Sequence, residues 1–170
     1  RRAATDNDLI ITSGGVSVGE EDHVKPAVEA EGQLDMWKIA IKPGKPLAFG
    51  EVRREGGKAW FIGLPGNPVS AMVTFMMMVR PFILRLQGAS QLEPRRYRVR
   101  ADFDWLRADP RKEFLRGRIN PDGGLELYAN QGSGVVTSLC WGDGLVINAP
   151  GATIARGDLV EFVPFAELLS

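Results

Sequence analysis

The chain has one cysteine, Cys140, and one histidine, His23, in 170 residues. A lone cysteine excludes an internal disulfide framework, and a reducing, cytoplasmic setting is the simpler expectation. With a single histidine beside it, no Cys/His zinc site can be assembled. Cys140 reads as a small apolar filler. Neither sign of charge is in excess, because Lys+Arg and Asp+Glu both number 21. No global field draws the chain to nucleic acid or to a membrane surface, so neither partner is expected, and any anion site must be built locally. The longest apolar run, residues 69–79, is shorter than the roughly 18 residues a membrane helix needs. There is no initiator Met and no signal-peptide pattern. Arg1-Arg2-Ala3-Ala4 reads like the middle of a helix, and the chain is expected to be a piece of a longer protein.

What is present divides into two textures. Residues 1–88 mix strand and helix signals, and residues 91–170 carry strand-like segments only. The seam is Gln87-Gly88-Ala89-Ser90-Gln91. In the first part, Leu9–Thr12 suits a buried parallel strand. Asp22–Glu31 suits a helix, with Gly32 as its left-handed terminator. Trp37–Ile41 suits a strand, and Leu47–Val52 with Lys58–Leu64 suits a hairpin. A nearly all-apolar helix is predicted over Pro68–Leu86, with Asn67 as N-cap, Pro68 at its first position, a kink at Pro81 and Met76-Met77-Met78 in the core. In the second part, strands are predicted at Arg95–Ala101, Glu113–Ile119, Leu125–Ala129, Val135–Leu139, Leu145–Asn148 and Leu159–Val163. Short strands with turn signals at this spacing point to a small barrel or sandwich. The fold class is therefore an α/β domain followed by a small all-β, barrel-like domain, divided at 1–88 and 91–170.

Three loops could carry chemistry. After the first strand come Ser13-Gly14-Gly15-Val16-Ser17-Val18-Gly19-Glu20-Glu21-Asp22. Small residues there let a ligand approach backbone N–H groups, and hydroxyls at Ser13 and Ser17 suit a phosphate. A tight strand-to-helix turn with an N-cap hydroxyl explains the same residues. It is not a Walker loop, since no Gly-Lys-Ser/Thr follows. Glu20, Glu21 and Asp22 suit an acidic helix start or a magnesium ion beside a phosphate. Lys42-Pro43-Gly44-Lys45-Pro46 holds two ammonium groups in a stiff frame, which is unfavourable unless an anion lies between them; a solvated basic loop is the alternative. Gly63-Leu64-Pro65-Gly66-Asn67-Pro68 opens the apolar helix and is explained by helix initiation alone. Gln131-Gly132-Ser133-Gly134 and Arg116 are ambiguous by themselves, although a guanidinium suits oxyanions. No serine-hydrolase elbow, HExxH or dinucleotide fingerprint occurs.

Taken in series, the SGGVSVGEED, KPGKP and GLPGNPVS stretches resemble the molybdopterin molybdenumtransferase family, which takes in bacterial MoeA and the gephyrin E-domains. The QGSG and GDLV stretches resemble that family's C-terminal domain. The resemblance implies a MogA-like molybdopterin-binding α/β domain followed by the β domain. It implies Mg²⁺-dependent insertion of molybdate into adenylated molybdopterin, with release of AMP. It also implies a MogA-like adenylyltransferase upstream and a homodimer in the full-length protein. On this resemblance Asp22 is a catalytic and magnesium-binding residue, and Lys42 and Lys45 are catalytic residues near molybdate. Ser13, Gly14, Gly15, Ser17, Pro65, Gly66, Asn67, Pro68, Arg116 and Ser133 are substrate-binding residues. The family's earlier Thr-Gly-Asp-Glu-Leu strand is missing, so the isolated chain is expected to be inactive. Two other classes stay open: a molybdopterin-binding or scaffolding module without turnover, and an unrelated phosphate-binding fold.

Overall fold

The computed structural model describes residues 1–15, 23–44 and 46–169. After a short helix α1 (Arg2–Thr5), β1 (Leu9–Ser13) runs parallel to β5 (Gly57–Leu64), with Ile11 opposite Ile62. β5 also forms the expected hairpin with β4 (Pro46–Arg54), and β4 pairs with β2 (Gly32–Lys38), giving the order β1-β5-β4-β2. Apolar side chains leave both faces of the central strands. On one face Ala48, Val52, Ala59 and Phe61 pack under α1 and α2 (Val24–Glu31), through Ala4 and Val28. On the other, Leu47, Ile62 and Leu64 pack against Val79 of the long helix. Burial on both sides is what a β-branched, near-continuous apolar strand demands.

That long helix has three parts: α3 (Pro68–Thr74), a π-helical turn Phe75–Val79, and α4 (Arg80–Leu86). The expected irregularity sits one turn before Pro81, where a widened turn absorbs the proline's missing donor. Met76 is buried, whereas Met78 is exposed. Residues 68–86 are long and apolar enough to cross a membrane by length and mean hydropathy alone, which the shorter apolar run had not indicated. Here they lie between the two sheets: Val69, Val73 and Met76 pack against Phe114, Leu145, Val163 and Leu168 of the second half.

The second sheet contains β3 (Ile41–Lys42), β6 (Tyr97–Arg100), β7 (Lys112–Ile119), β8 (Leu125–Leu127), β9 (Gly144–Asn148) and β10 (Leu159–Pro164). Its order is β3-β7-β9-β10-β6, with β8 beside β7. β3 comes from the first half of the sequence and runs parallel to β7, Lys42 opposite Glu113. One strand therefore crosses the expected boundary at residues 88–91.

The second sheet is barrel-like without closing: its two ends, near β6 and β8, touch through one isolated bridge, Ala101 to Leu125. Three expectations are corrected. Val135–Leu139 is not a strand, because Thr137–Trp141 winds into a short helix, α5. That helix turns Cys140 outward, so Cys140 is exposed while Ser138 is buried. Gly32 does not end α2 in the left-handed region: its φ is −172° and it opens β2. A Cβ there would stand 1.8 Å from the Glu51 carbonyl oxygen, so close strand approach explains the glycine. A final short helix, α6 (Phe165–Leu168), closes over this core.

Candidate active site

Because the long helix lies between the sheets, the loop after β3, the loop after β5 and the loop after β8 reach one place. They line a cavity of about 320 Å³ with Lys42, Pro43, Gly44, Pro46, Pro65, Asn67, Ser70, Arg111, Gln131, Gly132 and Ser133. The Ser133 carbonyl accepts a hydrogen bond from the Val69 N–H at 3.1 Å. That bond satisfies one orphan donor of the helix start and ties two of the loops together. Asn67 is extended at the N-cap position and its side chain makes no capping bond; its carbonyl accepts from Ala71 N–H. Pro68 stands at the first helical position, as expected.

The Pro65–Pro68 turn also borders a second hollow of about 390 Å³, lined by Ser13, Leu64, Gly66, Pro68, Ala71, Met72 and Phe75. Here the first and third loops meet. The Gly14 N–H donates to the Leu64 carbonyl at 3.0 Å. A Cβ on Gly14 would lie 3.7 Å from the Gly66 Cα, so the two backbones are in near contact. Gly14 and Gly15 have φ of 80° and 73°, the region where glycine carries no Cβ strain.

Lys42 is the charged centre of the first cavity. Its Nζ lies 3.0 Å from Glu113 Oε1 and 3.1 Å from Asp109 Oδ2. Glu113 has no exposure. Its other oxygen accepts from Trp105 Nε1 at 2.8 Å and Asn148 Nδ2 at 3.0 Å. A buried carboxylate persists only when it is paired and hydrogen-bonded in this way. Burial pulls the Lys42 ammonium down, but the hydrogen bonds and charges of Glu113 and Asp109 outweigh it, leaving its pKa above the ordinary 10.5. Lys42 is thus a fixed cation. Asp109 receives Arg111 through Nε at 2.8 Å and through the second guanidinium nitrogen at 2.9 Å. Those bonds hold its carboxyl well below the usual range.

Arg116 does not line the cavity. It is fully buried, donating to Ser138 Oγ at 3.0 Å, the Phe114 carbonyl at 3.2 Å and the Gly132 carbonyl at 3.3 Å. Burial lowers its pKa to about 10. Its backbone N–H donates to Gln131 Oε1, while Gln131 Nε2 donates to the Arg116 carbonyl. Arg116 and Gln131 therefore hold the Gly132–Ser133 rim from behind.

The structure thus brings together Lys42, Pro65, Asn67 and Ser133 in one cavity, with Ser13, Gly66 and Pro68 at the adjoining hollow. Asp22, Ser17 and Lys45 lie outside the described residues. Among the described residues, no group of three or more His, Cys, Asp or Glu side chains could hold a metal. Asp109 and Glu113 are already occupied by cations and donors. The described side chains therefore do not make a magnesium site. Asp109, Arg111 and Glu113 went unnoticed in the sequence. Glu113 lies 71 positions from Lys42, and its strand, which also carries Lys112, Arg116 and Arg118, gave no sign that this carboxylate is buried.

Comparison with known proteins bears on this geometry. Residues 1–85 match the family described as "Probable molybdopterin binding domain", and residues 98–165 match "MoeA C-terminal region (domain IV)". A molybdopterin molybdenumtransferase from Haemophilus influenzae is 44% identical over 98% of this chain, which spans 42% of that protein. The molybdenum cofactor synthesis protein cinnamon of Drosophila melanogaster is 37% identical over 88% of this chain, covering 25% of its own length. The crystal structure of a molybdopterin biosynthesis MoeA protein from Pyrococcus horikosii superposes with a TM-score of 0.70 at 27% identity, over 93% of this chain and 37% of that one. The chain thus spans less than half the length of these relatives. It belongs to the family of molybdopterin-binding domains, in the MoeA arrangement that places the MoeA C-terminal region behind such a domain.

Proposed function

We propose that this chain supplies the oxyanion-binding cavity of a molybdopterin molybdenumtransferase, which inserts molybdate into adenylated molybdopterin and releases AMP in a magnesium-dependent reaction. The observation that carries this reading is the convergence of Lys42, Asn67 and Ser133, from three separate loops, on one cavity. A fixed cation, a side-chain amide and a hydroxyl make a donor set suited to a tetrahedral dianion. The adjoining apolar hollow beside Ser13 and Gly66 has the character of a place for a flat ring system. Molybdate is a substrate here, carried in and covalently passed on. The chain's own residues bind and orient it; Lys42 stays protonated and acts through charge. Magnesium dependence rests on Asp22, whose carboxylate would hold the ion. In the same reading the full-length protein is a cytoplasmic homodimer supplied by a MogA-like adenylyltransferase.

The test uses the full-length protein that contains this chain. Purified wild type should convert adenylated molybdopterin and molybdate to metallated cofactor and AMP, with loss of turnover on chelation and recovery with Mg²⁺. Lys42→Met should lower molybdate insertion by two orders of magnitude or so, and Asp22→Ala should stop AMP release. The isolated 170-residue chain should show no turnover. Tight binding of adenylated molybdopterin by the full-length protein without any AMP release would favour the binding or scaffolding module instead.

A further inference from the structure

We propose that Asp109 is a built-in competitor for the oxyanion, a carboxylate occupying the charge that an arriving dianion must take over. Among the described residues, two cations line the cavity, Lys42 and Arg111. Both bond to the same oxygen of Asp109: Oδ2 lies 3.1 Å from Lys42 Nζ and 2.9 Å from the terminal guanidinium nitrogen of Arg111. The second oxygen accepts from Arg111 Nε at 2.8 Å and from the Arg111 backbone N–H at 3.0 Å. This fork is the arrangement an oxyanion would itself adopt between a guanidinium and an ammonium.

The two acids on Lys42 are not equivalent. Glu113 is fully buried and anchored by Trp105 and Asn148, so it stays. Asp109 keeps 14% exposure, and its cations keep about a third of theirs, 33% for Lys42 and 32% for Arg111. With both acids engaged, Lys42, Arg111, Asp109 and Glu113 sum to zero charge. When Asp109 lets go of Lys42, it retains the Arg111 backbone N–H, and the released cation faces the cavity. Binding is then an exchange of one anion for another. A doubly charged ligand gains more from the released Lys42 ammonium than a singly charged one does, so the exchange favours dianions.

This inference rests on the oxyanion reading of the cavity, and the test separates the two. Molybdate is titrated calorimetrically into the full-length protein, as wild type, Asp109→Asn, Asp109→Ser, Lys42→Met and the Asp109→Asn/Lys42→Met double variant. Thermal unfolding of each variant confirms that it is folded. Removing the competing carboxylate should tighten molybdate binding roughly tenfold, the size of one charge-assisted hydrogen bond released, and the gain should vanish in the double variant. Suppose wild type binds molybdate, Lys42→Met abolishes it, and both Asp109 variants bind no more tightly than wild type. The competitor role then fails while the cavity reading survives. If neither wild type nor the Asp109 variants bind molybdate, the cavity reading fails and takes this inference with it.

Discussion

The Lys42 ammonium sits 3.0 Å from the carboxylate of Glu113, a side chain with no exposed surface, on parallel strands from opposite halves of the sequence. The pair ties the two halves of the sequence together within the second sheet, at the cavity. Replacing Glu113 with Ala leaves Trp105 Nε1, Asn148 Nδ2 and Lys42 Nζ without their common acceptor. Lys42 keeps Asp109, so the cost comes mainly from the buried donors left without an acceptor, about 1–3 kcal/mol each. Glu113→Ala should therefore lower the urea midpoint sharply and weaken ligand binding through a displaced Lys42. Glu113→Gln keeps an acceptor oxygen and should lose less. Equal stability of Glu113→Ala and wild type would show the contact to be dispensable.

Arg116 makes a second, independent prediction. Its three donors reach Ser138 Oγ and two carbonyls at once, a fork that a single ammonium cannot reproduce. Arg116→Lys should therefore behave like a loss variant, costing on the order of 2–4 kcal/mol as buried acceptors lose partners. Amide exchange at Gly132 and Ser133 should quicken more than exchange in β9. Unchanged exchange at that rim would mean that Gln131 alone holds the loop.

Much of this fold was legible in the sequence because the signals were local. The β4–β5 hairpin announced itself by two apolar runs around Glu55-Gly56-Gly57, and the long helix by Pro68 and an unbroken apolar stretch. Positions fixed by distant neighbours were not legible. Gly32 looked like a helix terminator, yet its reason is the Glu51 carbonyl across the sheet. Val135–Leu139 read as a strand, yet Ser138 is pulled inward by Arg116 and the Val135 carbonyl. In the site, Lys42, Asn67 and Ser133 stood out by their motifs. Asp109, Arg111 and Glu113 carry no motif, and only the β3–β7 pairing brings them to Lys42.

Gly14 tests whether the first loop is set by backbone conformation or by crowding. Its φ of 80° disfavours any side chain, while the neighbouring Gly66 Cα would meet an added Cβ at an ordinary 3.7 Å. Strain at the backbone thus dominates. Gly14→Ala should cost about 1–2 kcal/mol, and Gly66→Ala, whose φ is not positive, should cost less. A larger loss at Gly66 than at Gly14, measured by denaturant unfolding, would reverse the assignment and point to crowding between the two loops.

Acid should expose the role of Asp109 in stability. Arg111, then the Arg111 backbone N–H, then Lys42 depress its folded-state pKa below the ordinary 3.8. For a group depressed by folding, the unfolded chain binds the proton first, so its contribution is complete above about pH 5 and drains away as pH falls further. The Asp109→Asn unfolding midpoint should accordingly run parallel to wild type from pH 7 to about pH 5 and then fall less steeply. Asp102, held low by Arg100 and Asn120, keeps some acid sensitivity in both proteins, so the slopes differ without either becoming flat. Identical slopes below pH 4 in wild type and Asp109→Asn would mean that the Lys42–Asp109–Arg111 cluster adds nothing to the folded state's preference for the ionised carboxylate.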